Sequence, residues 1–353
     1  MQRSLLLLLR TALLVLSVVV FHSCDKLPDD VNISDIPSYY FDNNYLDGRV
    51  KAIRDTITNC TGKYETFFWI TDIHWEPELN TRRSPHLIKY IASKTDIDKV
   101  LNGGDTGNSQ VICENAISQL RNAIGSNKVY TVTGNHEIND ASRYESPFIR
   151  VADELRGHNT DIIYGDEDKS YFYFENVEKR IRYIGLSTYG FFIDEQYESR
   201  YNSKQLSWLT DTALDVQLGW SIIIFTHSLY QISNPSDELI TGPTGANIFI
   251  DAIDNYKGNG TIACVLIGHS HRDRIHIGKT GVPYILSACD RHSPHKGDIN
   301  VVRQPGTIHE QHFEVVIIDE EARKVKLLSI GGNARDGYDN DPGNEVDVRI
   351  VNY

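Results

Sequence analysis

Cysteine is scarce, five in 353 residues, and no Cys-x-x-Cys pair occurs anywhere. That argues against a thiolate zinc site. Positive charge is in deficit as well: 35 Lys and Arg stand against 48 Asp and Glu, a formal net charge of −13. The first 23 residues hold Arg3 and Arg10 and no acid, so the remainder is more acidic still. Such a surface repels phosphate backbones and argues against non-specific nucleic-acid binding. A site that handles phosphate must therefore bring its own local positive charge. No internal repeat is visible. The composition that is present, 40% hydrophobic and 24% charged, suits one large α/β domain or two small ones and excludes a disordered or collagen-like chain.

No uninterrupted apolar run reaches membrane length. Thr11 to Phe21 gives 11 residues, and only by tolerating Arg10 does Leu5–Phe21 give 17, at the lower edge for crossing ~30 Å of hydrocarbon. Residues 1–23 are better read as an export signal. The run ends at Ser23-Cys24, followed by acidic, polar residues. This is similar to a bacterial lipoprotein signal, in which Cys24 becomes the lipidated first residue and anchors the chain to a membrane. Phe21-His22 departs from the small or aliphatic residues usual there, and a plain secretory signal is the alternative. Residues 24–64 then read as lipidated cysteine, tether and leader, 65–332 as the main domain and 333–353 as a polar tail. Cys60, Cys113, Cys264 and Cys289 allow three disulfide pairings in an oxidising compartment, and the sequence does not choose among them.

From about Thr66, short apolar runs alternate with helical periodicity. Strands are predicted at Thr66–Thr71, Lys99–Asn102, Lys128–Thr133, Ser221–Thr226 and Ala263–Ile267. Helices are predicted at Pro85–Lys94, Gln110–Ile124, Phe148–Leu155, Ser203–Asp215 and Ala246–Tyr256. Hairpins are expected where Ser170–Phe174 meets Arg180–Ser187 and where His312–Asp319 meets Lys324–Ile330. The mixture suggests two packed sheets with helices outside.

A polar cluster follows each of five apolar runs: Asp72-Ile73-His74, Gly103-Gly104-Asp105, Gly134-Asn135-His136-Glu137, Thr226-His227-Ser228 and Gly268-His269-Ser270-His271. In open α/β sheets, ligands bind at the carboxyl ends of strands, so five such ends can converge on one crevice. Asp72 and His74, like His269 and His271, are two apart, which in extended backbone puts both side chains on one face. The glycines before Asp105, Asn135 and His269 permit tight turns and close backbone approach. Carboxylate, imidazole and amide oxygen suit two divalent ions of the Mn, Fe, Zn or Ni type. Two dications against Asp72 and Asp105 leave a residual charge of about +2, attractive to a phosphoester on an acidic protein.

The set DxH, GD, GNHE, H and GHxH, with steps of 31, 30, 92 and 42 residues, resembles the calcineurin-like metallophosphoesterase family. The resemblance covers about Thr66 to Ile330 and implies a four-layer α/β/β/α sandwich. It further implies one metal on Asp72, His74 and His271 and a second on Asn135, His227 and His269. Asp105 would bridge them, and hydroxide held between the metals would attack phosphorus in line. His136 matches the family's non-ligand histidine, which meets the phosphate and protonates the leaving oxygen. Glu137 is expected to orient His136 or the loop. Asn108 is placed either to touch the phosphate or to cap the helix at Gln110.

The second motif continues Thr106-Gly107-Asn108, without the carboxylate-arginine-glycine run of the family's protein phosphatases. Asn108 and His74 also depart from purple acid phosphatases. The 92-residue step to His227 is longer than in compact cyclic-nucleotide phosphodiesterases. The substrate is therefore left as a small-molecule, lipid or polymer phosphoester. Arg291 and His292, in the basic stretch Asp290–Lys296, are candidate substrate contacts; Trp75-Glu76 and Tyr189-Gly190 are candidates to line the cleft. Asp336–Asp341 is faintly calcium-loop-like but lacks the EF-hand pattern. His86, His158, His276, His309 and His312 show no ligand spacing and are read as ordinary. The competing class is a metal-binding scaffold lipoprotein without turnover, which would betray itself by a missing ligand or a replaced His136; neither is seen.

Overall fold

In the computed structural model, residues 33–75, 83–139, 153, 155–192, 196–232, 238–290, 306–332 and 348–353 are described. Cys24, the export signal, Arg291, His292, Glu76, the calcium-like stretch and most of the predicted helix 148–155 lie outside them. The strands are β1 (Tyr64–Ile70), β2 (Val100–Asn102), β3 (Val129–Thr131), β4 (Ile163–Tyr164), β5 (Phe172–Asn176), β6 (Ile181–Leu186), β7 (Tyr189–Phe192), β8 (Gln196–Ser199) and β9 (Ser221–Thr226). There follow β10 (Tyr230–Ile232), β11 (Leu239–Thr241), β12 (Thr261–Ile267), β13 (Arg274–Ile277), β14 (Pro283–Leu286), β15 (His312–Asp319), β16 (Lys324–Gly331) and β17 (Val348–Asn352). The helices are α1 (Tyr45–Thr58), α2 (Ser84–Lys94), α3 (Gln110–Ile124), α4 (Asn135–Asn139), α5 (Ser203–Trp208) and α6 (Ala246–Asp254).

One sheet runs β17-β16-β15-β1-β2-β3 and the other β13-β14-β12-β9-β6-β5-β4, with small ribbons β7-β8 and β10-β11 beside them. Both sheets are mixed. β1, β2 and β3 are parallel, as are β6, β9, β12 and β14, whereas the expected hairpins β5-β6 and β15-β16 are antiparallel. Alternation within strands builds the layers. In β9, Ile223 and Phe225 face Phe67, Trp69, Val316 and Leu327 of the other sheet. Ile222 and Ile224 face outward onto Leu206 of α5 and Ala246, Phe249 and Ile253 of α6. Those α6 positions recur at helical spacing, so one stripe covers the sheet. Each such fully buried aromatic or branched side chain contributes roughly 1.5–3 kcal/mol. A bulge between Ile262 and Cys264 turns both Ala263 and Cys264 to the inter-sheet side, where Cys264 is a buried core residue. All four cysteines downstream of Cys24 are free thiols.

Two segments depart from the composition-based division. The leader continues into α1, whose Leu46, Val50 and Ile53 are buried and whose Tyr45 hydroxyl receives a hydrogen bond from Gly331 N at 2.7 Å. The polar tail ends in β17, which pairs with β16 from Leu328↔Val348 to Lys324↔Asn352. Residues from Val31 to Tyr353 thus form one unit. The apolar residues responsible are few and interspersed with charge, so composition concealed them. No helix among the described residues is long and apolar enough to cross a membrane.

Candidate metal centre

The parallel strands β1, β2 and β3 of one sheet and β9 and β12 of the other deliver the five polar clusters to one end of the sandwich. Backbone bonds splice the loops together: Asp72 N–H donates to Gly104 O, His74 N–H to Asp105 O and Gly268 N–H to His227 O, each at 2.9 Å. Gly104, at φ +89°, lies so close to Gly134 that a Cβ on it would sit 2.6 Å from Gly134 N. The expected close approach of these turns is therefore real. The expectation of extended backbone is not. Asp72, His74, Asp105, His269 and His271 have φ of 52°, 42°, 51°, 67° and 56°, left-handed values that non-glycine residues rarely adopt. The paired donors share a site because the chain turns tightly at each of them, not because a pleat alternates.

Glu137 locks two loops together. One carboxylate oxygen accepts Gly134 N–H at 2.8 Å and Asp105 N–H at 3.0 Å; the other accepts Thr106 N–H at 2.5 Å. Its two oxygens are engaged by these three backbone N–H groups, which tie the Asp105 loop to the Asn135 loop. Its carboxyl is raised above the ordinary value by burial and by Asp105 nearby.

Around these loops the donor atoms face inward. His271 Nε2 lies 3.2 Å from Asp72 Oδ1 and 3.0 Å from His74 Nε2. His74 Nε2 is 3.9 Å from both Asp72 Oδ1 and Asp105 Oδ2. On the other side, His227 Nε2 lies 3.3 Å from Asp105 Oδ2 and 3.2 Å from both Asn135 Oδ1 and His269 Nδ1. The donors of Asp72, His74 and His271 all lie within 4.8 Å of one another, as do those of Asp105, His227 and His269. Asp105 Oδ2 faces both groups.

The supporting contacts leave the inward atoms available. Asp72 Oδ2 accepts Thr71 Oγ1–H at 2.7 Å and His269 N–H at 2.9 Å, while Oδ1 is buried and accepts no hydrogen bond. Asp105 Oδ1 accepts His136 N–H at 2.8 Å, leaving Oδ2 to the imidazoles. His227 Nδ1–H donates to Gly103 O at 2.7 Å, which turns the lone pair of Nε2 inward. An orphaned carboxylate oxygen, an amide oxygen and imidazole lone pairs facing one another are the chemistry of a cation site, and the residues present fit two divalent ions.

The electrostatics agree. Burial pushes the Asp72 carboxyl up, but facing His227, His271 and His74 reverse this and hold it far below the usual range. Asp105 is held at about 2 against burial, chiefly by His227. His227 rises to about 9 although burial opposes it, because Asp105 and Asp72 flank it. Burial drives His74 and His269 down to about 4, with imidazole neighbours assisting. The two carboxylates thus stay ionised and the compensating proton concentrates on His227, a proton that a bound cation displaces.

His136 stands at the rim, about one-third exposed, with Nε2 3.7 Å from Asp105 Oδ2. Its Nδ1 is hydrogen-bonded to Asn108 Oδ1. Asn108 is therefore not the helix cap: Ser109 holds that position in extended conformation, and Asn108 steadies His136. Trp75 is buried, its N–H donating to Thr106 O at 2.8 Å. Asp290 is also buried, its N–H donating to Thr71 O at 2.9 Å.

A two-sheet sandwich with converging carboxylate, amide and imidazole donors at its strand ends defines the class, a metal-dependent phosphoester hydrolase. A family model described as calcineurin-like phosphoesterase matches residues 66–273, more than half of the chain, and the chain belongs to that family. Among solved structures, a dimetal phosphatase from Danio rerio aligns with TM-score 0.51 at 13% identity, covering 82% of this chain and 98% of that one. A phosphopantetheinyl hydrolase from Mycobacterium tuberculosis aligns with TM-score 0.38 at 14% identity, covering 64% of this chain and 89% of that one. At 13% identity the likeness to the Danio rerio phosphatase concerns the fold alone. The search of curated proteins gave no match.

Proposed function

We propose that this chain hydrolyses phosphoesters outside the cytoplasm at a centre of two divalent metal ions. The observation that carries the reading is the convergence of Asp105 and six further donors from five strand ends. Asp72, His74 and His271 hold one ion, Asn135, His227 and His269 the other, and Asp105 reaches both. When bound, the pair supplies a nucleophilic hydroxide at neutral pH and stabilises charge on the attacked phosphoryl group. The protein's own part is orientation and proton transfer. Glu137 and the glycine pair fix the separation of the Asp105 and Asn135 loops. His136, held by Asn108, presents Nε2 from the rim and gives a proton to the leaving oxygen.

Export through residues 1–23 and lipidation at Cys24 belong to the same proposal. The substrate is then an extracytoplasmic small-molecule, lipid or polymer phosphoester. Manganese-loaded protein assayed on paired mono- and bis-aryl phosphates tests the activity. Hydrolysis abolished by Asp105→Asn and slowed by His136→Ala supports it, and metal-replete protein inert on both substrates overturns it in favour of a scaffold. Lipid labelling that persists in Cys24→Ser overturns the anchor.

A further inference from the structure

Beside the metal centre the sheets enclose a second buried group with the same donor types. Asp273, His312 and Glu314 place ligand-type atoms within 4.8 Å of one another, and all three residues are buried. They come from different places: Asp273 from the loop after β12, His312 and Glu314 from β15. Here the chain supplies the cation itself. Arg349, on β17, donates from Nη1 to Asp273 Oδ1 at 2.5 Å and from Nη2 to Glu314 Oε1. His312 Nδ1–H donates to Gly332 O at 2.7 Å, so its ring is fixed as well.

Asp273 stands two residues after His271 and four after His269. That short loop contributes one donor to each group of the metal centre, and both histidines are held at left-handed φ. Glu314 lies on the strand paired with β1, opposite Trp69, just before β1 gives way to Asp72. The forked guanidinium therefore ties the loop bearing His269 and His271 to the sheet bearing Asp72. A fork can hold two carboxylates at once in fixed geometry, which a single ammonium cannot.

We propose that Arg349 is a positioning residue for the metal centre, locking the His269–His271 loop through Asp273 while anchored on Glu314. It lies outside the stretch matched by the family model, on the strand that composition assigned to a polar tail. The proposal rests on the metal-centre reading above.

The test is a calorimetric titration of metal-free, full-length protein with Mn²⁺, run beside thermal unfolding of the same samples. Wild type should bind two ions. In Arg349→Met, both binding steps should weaken by about ten- to a hundredfold, the range for loss of a residue that orients a ligand. Asp273→Asn should do the same, and the double variant should be no worse than either single one. Arg349→Lys should recover only part of the loss. Val351→Ala, on the same strand, controls for loosening of β17: its melting temperature should fall while Mn²⁺ affinity stays at the wild-type value. Folded Arg349→Met that binds Mn²⁺ as wild type does, or Val351→Ala that weakens binding equally, would overturn the positioning role alone. Wild type that binds no Mn²⁺ would overturn the metal-centre reading, and this proposal with it.

Discussion

At one end of β1, Glu65 is buried with Lys99 Nζ 2.7 Å from one carboxylate oxygen and Lys179 Nζ 3.0 Å from the other. At the opposite end, Asp72 is buried with Oδ1 accepting no hydrogen bond and facing His271, His74 and His227 at 3.2, 3.9 and 4.0 Å. Seven positions along the chain, from within β1 to just past its end, separate a carboxylate satisfied from within from one whose inward oxygen lacks a hydrogen bond. Burying a charge costs several kcal/mol unless it is paired. The Glu65 end meets that cost with lysines, and its backbone stays regular. The Asp72 end meets it with imidazoles alone, on backbone bent into left-handed turns. A structural ion cluster and a functional one can therefore share residue types and depth; what separates them is whether the chain provides the counter-charge.

The strongest way to break this contrast is at the shared carboxylate. Asp105→Asn should lower phosphoester turnover more than about a hundredfold, beyond what loss of a supporting residue costs, and calorimetry should show fewer than two Mn²⁺ bound. Wild-type rates in that variant would mean that the contrast has no functional meaning. His136→Ala should slow hydrolysis of alkyl phosphoesters by about a hundredfold, the lower range for a lost general acid. It should slow nitrophenyl esters less, because their leaving oxygen scarcely needs the proton, and Mn²⁺ stoichiometry should not change. Glu137→Gln turns an amide N–H₂ toward backbone N–H groups, loosening the Asp105 loop. A loss of about tenfold in turnover is expected, with Mn²⁺ affinity reduced alongside.

The smallest effect sharpens the Glu65 end. Burial pushes the Glu65 carboxyl up, but Lys99 and Lys179 outweigh burial and hold it below its ordinary 4.5. Its folded-state value is depressed, so the stability it contributes is present above pH 4.5 and lost as pH falls through that lower value. Lys179→Met should lower stability at pH 7 by at most about 1 kcal/mol, since Lys179 is more than one-third exposed. Denaturant titrations should show the gap to wild type closing on acidification. A gap constant from pH 7 down through the acid transition would show that Lys179 acts by packing rather than by charge.

The five clusters were legible because each polar group directly follows an apolar run, a local pattern that also places it at a strand end. The two hairpins were legible for the same reason. What escaped notice depends on distance along the chain. That Asn108 would turn to His136 rather than cap α3, or that Arg349 would reach Asp273 and Glu314, leaves no trace in spacing. His312 passed as ordinary because its companions Asp273 and Arg349 lie 39 and 37 positions away in the sequence. α1 and β17 hid behind composition: Leu46, Val50 and Ile53 sit among charges, and Val348 and Ile350 close an acidic stretch. The left-handed turns at Asp72, His74 and His269 escaped because strand-like spacing made extended backbone the simpler inference.

Those turns bear on any attempt to transplant the centre. Left-handed conformation at a residue with a Cβ is unfavourable by about 1–2 kcal/mol, and five of the seven donors or their bridge adopt it. A protein engineer who grafted the same side chains onto another sandwich, with ordinary turns, would reproduce the list of ligands without their directions. The portable unit is the pair of sheets together with the loops they force into shape.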